Sequence, residues 1–196
     1  MEDIFFIGTN GTVVALELKS GKELWRTYLR SSEIVSVYHE NEKVYAGANG
    51  HFYILCAKTG KILAENTMKG QGYGIISFAI PNSEKNENDQ QMTYSFKLED
   101  LIFTAMNGYV TAFNKFNAEE IWRTCVNASH SYPMSIIFRK GCLIVGRTGY
   151  VFNLDPFTGN ILWCNDLKGL WYYYISISNN NNIPVINNDE SDDSDD

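Results

Sequence analysis

The chain has little of what marks an enzyme, a secreted protein or a membrane protein. No apolar run approaches the roughly 20 residues of a membrane-spanning helix, and no basic stretch with an apolar core precedes the first patterned segment at Ile4. These absences predict a cytoplasmic protein without a membrane partner. The four cysteines, Cys56, Cys125, Cys142 and Cys164, show neither CxxC nor adjacent spacing, so free buried thiols in a reducing compartment are expected rather than disulfides. His39, His51 and His130 are the only histidines and have no metal-ligand spacing. Basic runs are absent too. The formal charge of −7 comes largely from Asp189, Glu190, Asp192, Asp193, Asp195 and Asp196, which leaves 17 acidic against 16 basic residues in the body. A near-neutral body argues against a nucleic-acid partner.

What is present is a repeat. One pattern of 26 residues recurs at 4–29, 43–68, 101–126 and 142–167. In the first copy, alternating apolar residues mark strands at 4–8 and 12–18, with a third at 23–27. Asn10-Gly11 lies at the first reversal and recurs as Asn49-Gly50 and Asn107-Gly108, with Thr148-Gly149 as a variant. Asn-Gly suits a two-residue hairpin because both positions accept positive φ. A fourth apolar stretch precedes or follows each copy, at 33–39, 73–80, 132–138 and 170–178. Four strands per unit, four units and no convincing helix predict an all-β chain built as a β-propeller of four-stranded blades. The polar run at 81–92 reads as a lengthened loop, and residues 179–196 as a disordered, Asn-rich acidic tail. In that tail Ser191 and Ser194, each followed by two aspartates, have the pattern of acid-directed phosphorylation sites.

Within the copies a second pattern lies in register. The first copy has Ala15, Glu17, Gly21, Lys22 and Trp25; the fourth has Asn153, Asp155, Gly159 and Trp163. The third keeps Ala112, Asn114 and Trp122 but has Ala118 at the glycine position, and the second keeps Gly60 and Lys61 but has Ala64 at the tryptophan position. This pattern resembles the repeat of pyrroloquinoline quinone (PQQ) enzymes and their non-enzymatic relatives, the quinoprotein alcohol dehydrogenase-like propellers. Their signature is Ala-x-Asp-x-x-x-Gly-Lys-x-x-Trp. The resemblance implies that each indole lies on the turn of the next blade, with glycine allowing close approach. Ala15, Gly21, Trp25, Gly60, Ala112, Trp122, Gly159 and Trp163 are therefore expected to be structural docking residues, with a looser joint at Ala64.

The same resemblance sets a requirement for catalysis. A quinoprotein dehydrogenase needs Ca²⁺ oxygen ligands, a carboxylate base and surfaces that sandwich the quinone, often an adjacent-cysteine disulfide on one side. Glu17, Asp155 and Glu120 fall in turns or in the docking signature, so they are expected to cap turns or face solvent. No cofactor, metal or catalytic residue is expected. Two function classes follow: a non-enzymatic scaffold with a protein or peptide partner, or part of a larger PQQ-repeat enzyme. The latter covers a quinoprotein dehydrogenase and the C-terminal propeller of a β-alanine-activating, acyl-adenylating enzyme. Residues 170–178 would complete the blade of residues 4–29 in a closed ring. An open arc, a four-blade ring and half of an eight-bladed propeller all use the same strands. The arc, expected for the isolated chain, would expose blade edges that favour self-association.

Overall fold

The computed structural model describes residues 3–30, 34–81, 94–126, 133–170 and 173–178. Its strands fall into four antiparallel sheets, each made of chain neighbours. The first blade is β1 (Ile4–Thr9), β2 (Thr12–Glu17) and β3 (Glu23–Tyr28). The second is β4 (Val35–Glu40), β5 (Lys43–Ala48), β6 (His51–Cys56) and β7 (Ile62–Asn66). β8 (Ser77–Ala79), β9 (Leu101–Met106), β10 (Tyr109–Asn114) and β11 (Glu120–Cys125) form the third, with a single 3₁₀ turn at Leu98–Asp100 before β9. The fourth is β12 (Ser135–Arg139), β13 (Cys142–Arg147), β14 (Tyr150–Leu154) and β15 (Ile161–Asp166). The chain thus forms four propeller blades; among the described residues three have four strands and the first has three, without an inner strand.

Local chemistry explains the hairpins. At the β1–β2 reversal Asn10 and Gly11 have φ of 44° and 67°, and the other Asn-Gly turns are alike. Positive φ at both central residues gives the turn whose twist matches its strands. In the first, third and fourth blades the turn glycine's carbonyl accepts a bond from the residue beyond the outer strand, Leu29 N–H to Gly11 O at 2.7 Å, Val126 N–H to Gly108 O at 2.8 Å and Leu167 N–H to Gly149 O at 2.8 Å, whereas in the second Met68 N–H bonds Asn66 Oδ1 at 2.9 Å. A bulge recurs in the pairing of the two outer strands of every blade, after Ala15, Ile54, Ala112 and Asn153. One residue of the outer strand is skipped each time, so Ala15 faces Trp25 while Leu16 faces Glu23.

Each joint between consecutive blades holds one apolar cluster. Val13, Leu29, Val44, Ala46 and Leu55 belong to the first, Phe52, Ile54, Ile102 and Phe113 to the second, and Phe103, Val110, Leu143 and Leu154 to the third. Close approach of the next inner strand requires small residues. A Cβ on Gly47 would lie 2.7 Å from Ile76, and one on Gly8 would lie 2.4 Å from the carbonyl of Val35. Among the described residues, no strand pairing, hydrogen bond or core cluster joins the fourth blade back to the first.

Of the 170–178 stretch, read from the sequence as the fourth strand of a blade, residues 170 and 173–178 are described. The described part has no strand pairing and is not paired with β1. It does lie where an inner strand of a following blade belongs, since a Cβ on Gly146 would come within 2.9 Å of Ile175. Among the described residues no strand pairs with it. The cysteines differ as well: all four are free, yet Cys56 and Cys142 are half-buried and Cys125 and Cys164 are exposed. The loop expected at 81–92, apart from Pro81, and the tail with Ser191 and Ser194 lie outside the described residues.

Candidate functional site

The docking residues build two nearly identical joints. Trp25 Nε1 donates to the carbonyl of Ala57 at 3.0 Å, and Thr27 Oγ1 donates to the carbonyl of Gly60 at 2.7 Å. In the third joint Trp122 Nε1 donates to Pro156 O at 3.0 Å and Thr124 Oγ1 to Gly159 O at 2.7 Å. A Cβ on Gly60 or Gly159 would lie 2.5 Å from the indole. Glycine is thus required by the indole's approach, and by φ values of 71° and 73°. The receiving turns are built alike. Gly60 N–H bonds Cys56 O at 2.8 Å and Gly159 N–H bonds Asp155 O at 2.8 Å. The Asp155 carboxylate caps the backbone N–H groups of Phe157 and Thr158 at 2.8 and 3.1 Å. Ala15 and Ala112 stand opposite the two indoles in register and leave room for them.

At the second joint, where a looser contact was expected, the structure shows a different packing. Ala64 faces Ile54 instead of an alanine, so bulk has moved from the outer strand to its neighbour. Ala118 holds φ 60° without an indole above it and is buried. Asn66 Nδ2 takes the place of the threonine hydroxyl and donates to Ala118 O at 3.0 Å. Tyr45 Oη reaches Lys115 O at 3.4 Å, Lys115 pairs with Glu40 at 2.9 Å, and Lys43 sits 4.4 Å from the Phe116 ring. Burial first, then the Glu40 carboxylate, pushes the Tyr45 phenol far above its ordinary range.

Among the described residues no turn receives the fourth signature. Trp163 is 46% exposed, and all six residues of β15 face solvent. At the opposite end Gly21 carries no neighbour within 4 Å of a Cβ built on it.

The remaining candidate residues do not converge. Glu17 bonds Ser20 within its own turn, and Glu120 pairs with Arg123, which also donates to Lys69 O at 2.6 Å. His39 contacts Asn41 O at 2.8 Å and His51 contacts Glu65 at 3.1 Å, while His130 lies outside the described residues. No group of three metal-ligating side chains occurs among the described residues. With Glu17 and Asp155 spent on their turns, the described residues do not fit a Ca²⁺ and quinone site.

One face of the arc carries exposed apolar side chains. It is formed by the hairpin turns and by the connections from each outer strand to the next inner strand. Tyr73, 73% exposed, lies on the connection between the second and third blades, with Tyr28, Leu170 and Tyr173 exposed at the corresponding ends of other blades. Asn107 fixes that connection: its Nδ2 donates to Gln71 O at 3.0 Å and to Tyr73 O at 2.8 Å. Buried Gln71 also accepts a bond from Thr111 at 3.2 Å. Sequence reasoning saw Asn107 only as a turn residue. It also missed Arg147, which is almost wholly buried with Nη1 3.7 Å from Met134 Sδ.

Blades of four antiparallel strands packed side by side through such joints define a β-propeller protein. The model of the PQQ-like repeat family described as outer membrane protein assembly factor BamB matches residues 9–165, and the chain belongs to that family. No curated protein matches it. Among solved structures, the computationally designed Ika8 protein is similar at 18% identity and TM-score 0.63, covering 92% of this chain and 51% of that one. The Neurospora crassa Pan2 WD40 domain aligns at 10% identity and TM-score 0.63, over 85% of this chain and 47% of that one. Saccharomyces cerevisiae Sqt1 aligns at 16% identity and TM-score 0.60, over 80% and 42%. At these identities the likeness is one of fold, and the chain spans about half the length of these structures.

Proposed function

We propose that this chain is a non-enzymatic propeller module that binds a protein or peptide through the face bearing Tyr28, Tyr73 and Tyr173. The observation that carries the reading is the position of Tyr73. It stands in solvent, yet its backbone is anchored to the third blade by the Asn107 carboxamide. A rigidly mounted tyrosine with an apolar ring and a hydroxyl is well suited to partner contact, because little conformational entropy is lost on binding. The family description, an assembly factor, is in keeping with a binding role. Selection of displayed peptides against the purified chain tests the proposal. Tyr73→Ser combined with Tyr173→Ser should weaken the selected peptides about tenfold or more without moving the thermal midpoint. Peptides whose affinity ignores both tyrosines would refute the assigned face.

A second reading makes the chain one part of a larger PQQ-repeat protein, a quinoprotein dehydrogenase or an acyl-adenylating enzyme among them. Its support is the half-length coverage of the matched structures. An in-frame coding region upstream would favour it.

A further inference from the structure

Among the described residues, the two ends of the arc carry the two halves of a docking joint that is not made. At one end Trp163 and Asn165 occupy the positions that Trp25 and Thr27 hold in the first joint, but they face solvent. At the other end, the turn of Leu18 to Gly21 matches the turns of Ala57 to Gly60 and Pro156 to Gly159. Gly21 has φ 67° and the same hydrogen bond back to Glu17, at 2.9 Å, yet nothing lies over it.

The blade faces tell the same story. Phe5 and Ile7 of β1 are 37% and 38% exposed, whereas the residues at their positions in the next three blades are fully buried in joints. These are Val44 and Ala46, Ile102 and Thr104, and Leu143 and Val145. Strand pairing is unmade as well. β1 has a bare inner edge, and residues 173–178 lie against Gly146 where the inner strand of a following blade belongs.

We infer that the occupant of both ends is a second copy of this chain, joined head to tail. Trp163 of one copy lies on the Leu18–Gly21 turn of the other. Residues 173–178 supply the missing inner strand to the other copy's β1. The interface continues a geometry already built twice inside the chain, at Trp25 and at Trp122. Because the contact joins unlike surfaces, it must close into a ring or grow without limit. Four blades span about half of the matched structures, so two copies supply an eight-bladed ring, with each first blade completed to four strands. This inference concerns the ends of the arc and stands apart from the partner face proposed above.

Sedimentation velocity of the full chain tests it. The wild type is expected to be a dimer at micromolar concentration, and Trp163→Asp should raise its dissociation constant about a hundredfold or more, as loss of a central aromatic anchor does. The double variant Phe5→Asp, Ile7→Asp should do the same, with Leu18→Asp as the substitute should β1 not tolerate two charges. Neither end variant should pair with itself, but an equimolar mixture of the two restores one intact joint and should form a heterodimer. A wild type that stays monomeric at high micromolar concentration overturns the inference. So does dimerisation by the Phe5, Ile7 variant alone, which would mean that like ends meet, and so does growth beyond two copies.

Discussion

The indole and the glycine beneath it form a coupled pair, and a double-mutant cycle at the third joint measures the coupling. Gly159→Ala faces two costs. The first is the left-handed backbone at φ 73°, about 1–2 kcal/mol for a residue with a Cβ. The second is the overlap of that Cβ with Trp122, 2.5 Å away, for which overpacking of a fitted core gives about 1–3 kcal/mol. Gly159→Ala should therefore cost about 2–5 kcal/mol in total. Once Trp122→Ala has removed the ring, at about 3 kcal/mol, only the backbone cost remains. The two changes should fall short of additivity by about 1–3 kcal/mol. Ala118 illustrates the expected end state, since it holds φ 60° in the joint that has no indole. Gly21→Ala in a Trp163→Ala background isolates the backbone cost, because nothing meets its Cβ. Urea denaturation followed by tryptophan fluorescence and circular dichroism supplies the free energies. Additivity of Trp122→Ala and Gly159→Ala within about 0.5 kcal/mol would refute the close-approach argument.

Three further outcomes follow from the same geometry. In dilute monomer Trp163→Ala should cost below about 1 kcal/mol while Trp25→Ala costs about 3, because only the latter loses burial and a hydrogen bond; paired thermal melts compare them. Tyr45 is held neutral by burial, so its contribution is complete below the unfolded phenol value of about 10 and is lost as pH rises above it. Stability titrations should accordingly show a steeper alkaline fall in the wild type than in Tyr45→Phe. Calorimetric titration with PQQ and Ca²⁺ should give only heats of dilution, and a micromolar affinity with a matching rise in thermal midpoint would overturn the non-enzymatic reading.

The blades were legible in the sequence because their constraints are local. Asn-Gly turns need positive φ at adjacent residues, and alternation reports which face of a strand is buried. Even the outer-strand bulge leaves a mark, in the paired apolar residues Leu24-Trp25, Ile121-Trp122 and Leu162-Trp163 that break the alternation. The second joint was not legible in the same way. Ala64 and Ala118 each read as a departure from the motif. Only the register that puts Ile54 across from Ala64, and the blade contact that brings Asn66 to Ala118, shows them to be one substitution in two places. Trp163 exposes a related blind spot: a docking motif states what a residue can do, and a neighbouring blade decides whether it does it. The Asn107 clamp on the Tyr73 connection spans 34 residues and leaves no periodic trace.

Because, among the described residues, every strand pairs only with its neighbours in the chain, folding acquires an order in time. Apart from the β8–β9 pair, whose connection runs from 80 to 100, each hairpin closes over a short loop, so a blade can form while the next is still being synthesised. The first blade is the exception. Its three strands precede those of the other three blades, yet the segment suited to its bare inner edge follows the whole of β15. Throughout synthesis β1 therefore offers unpaired backbone groups to any extended chain nearby, and on ribosomes sharing one message the nearest such chain is another copy of this one.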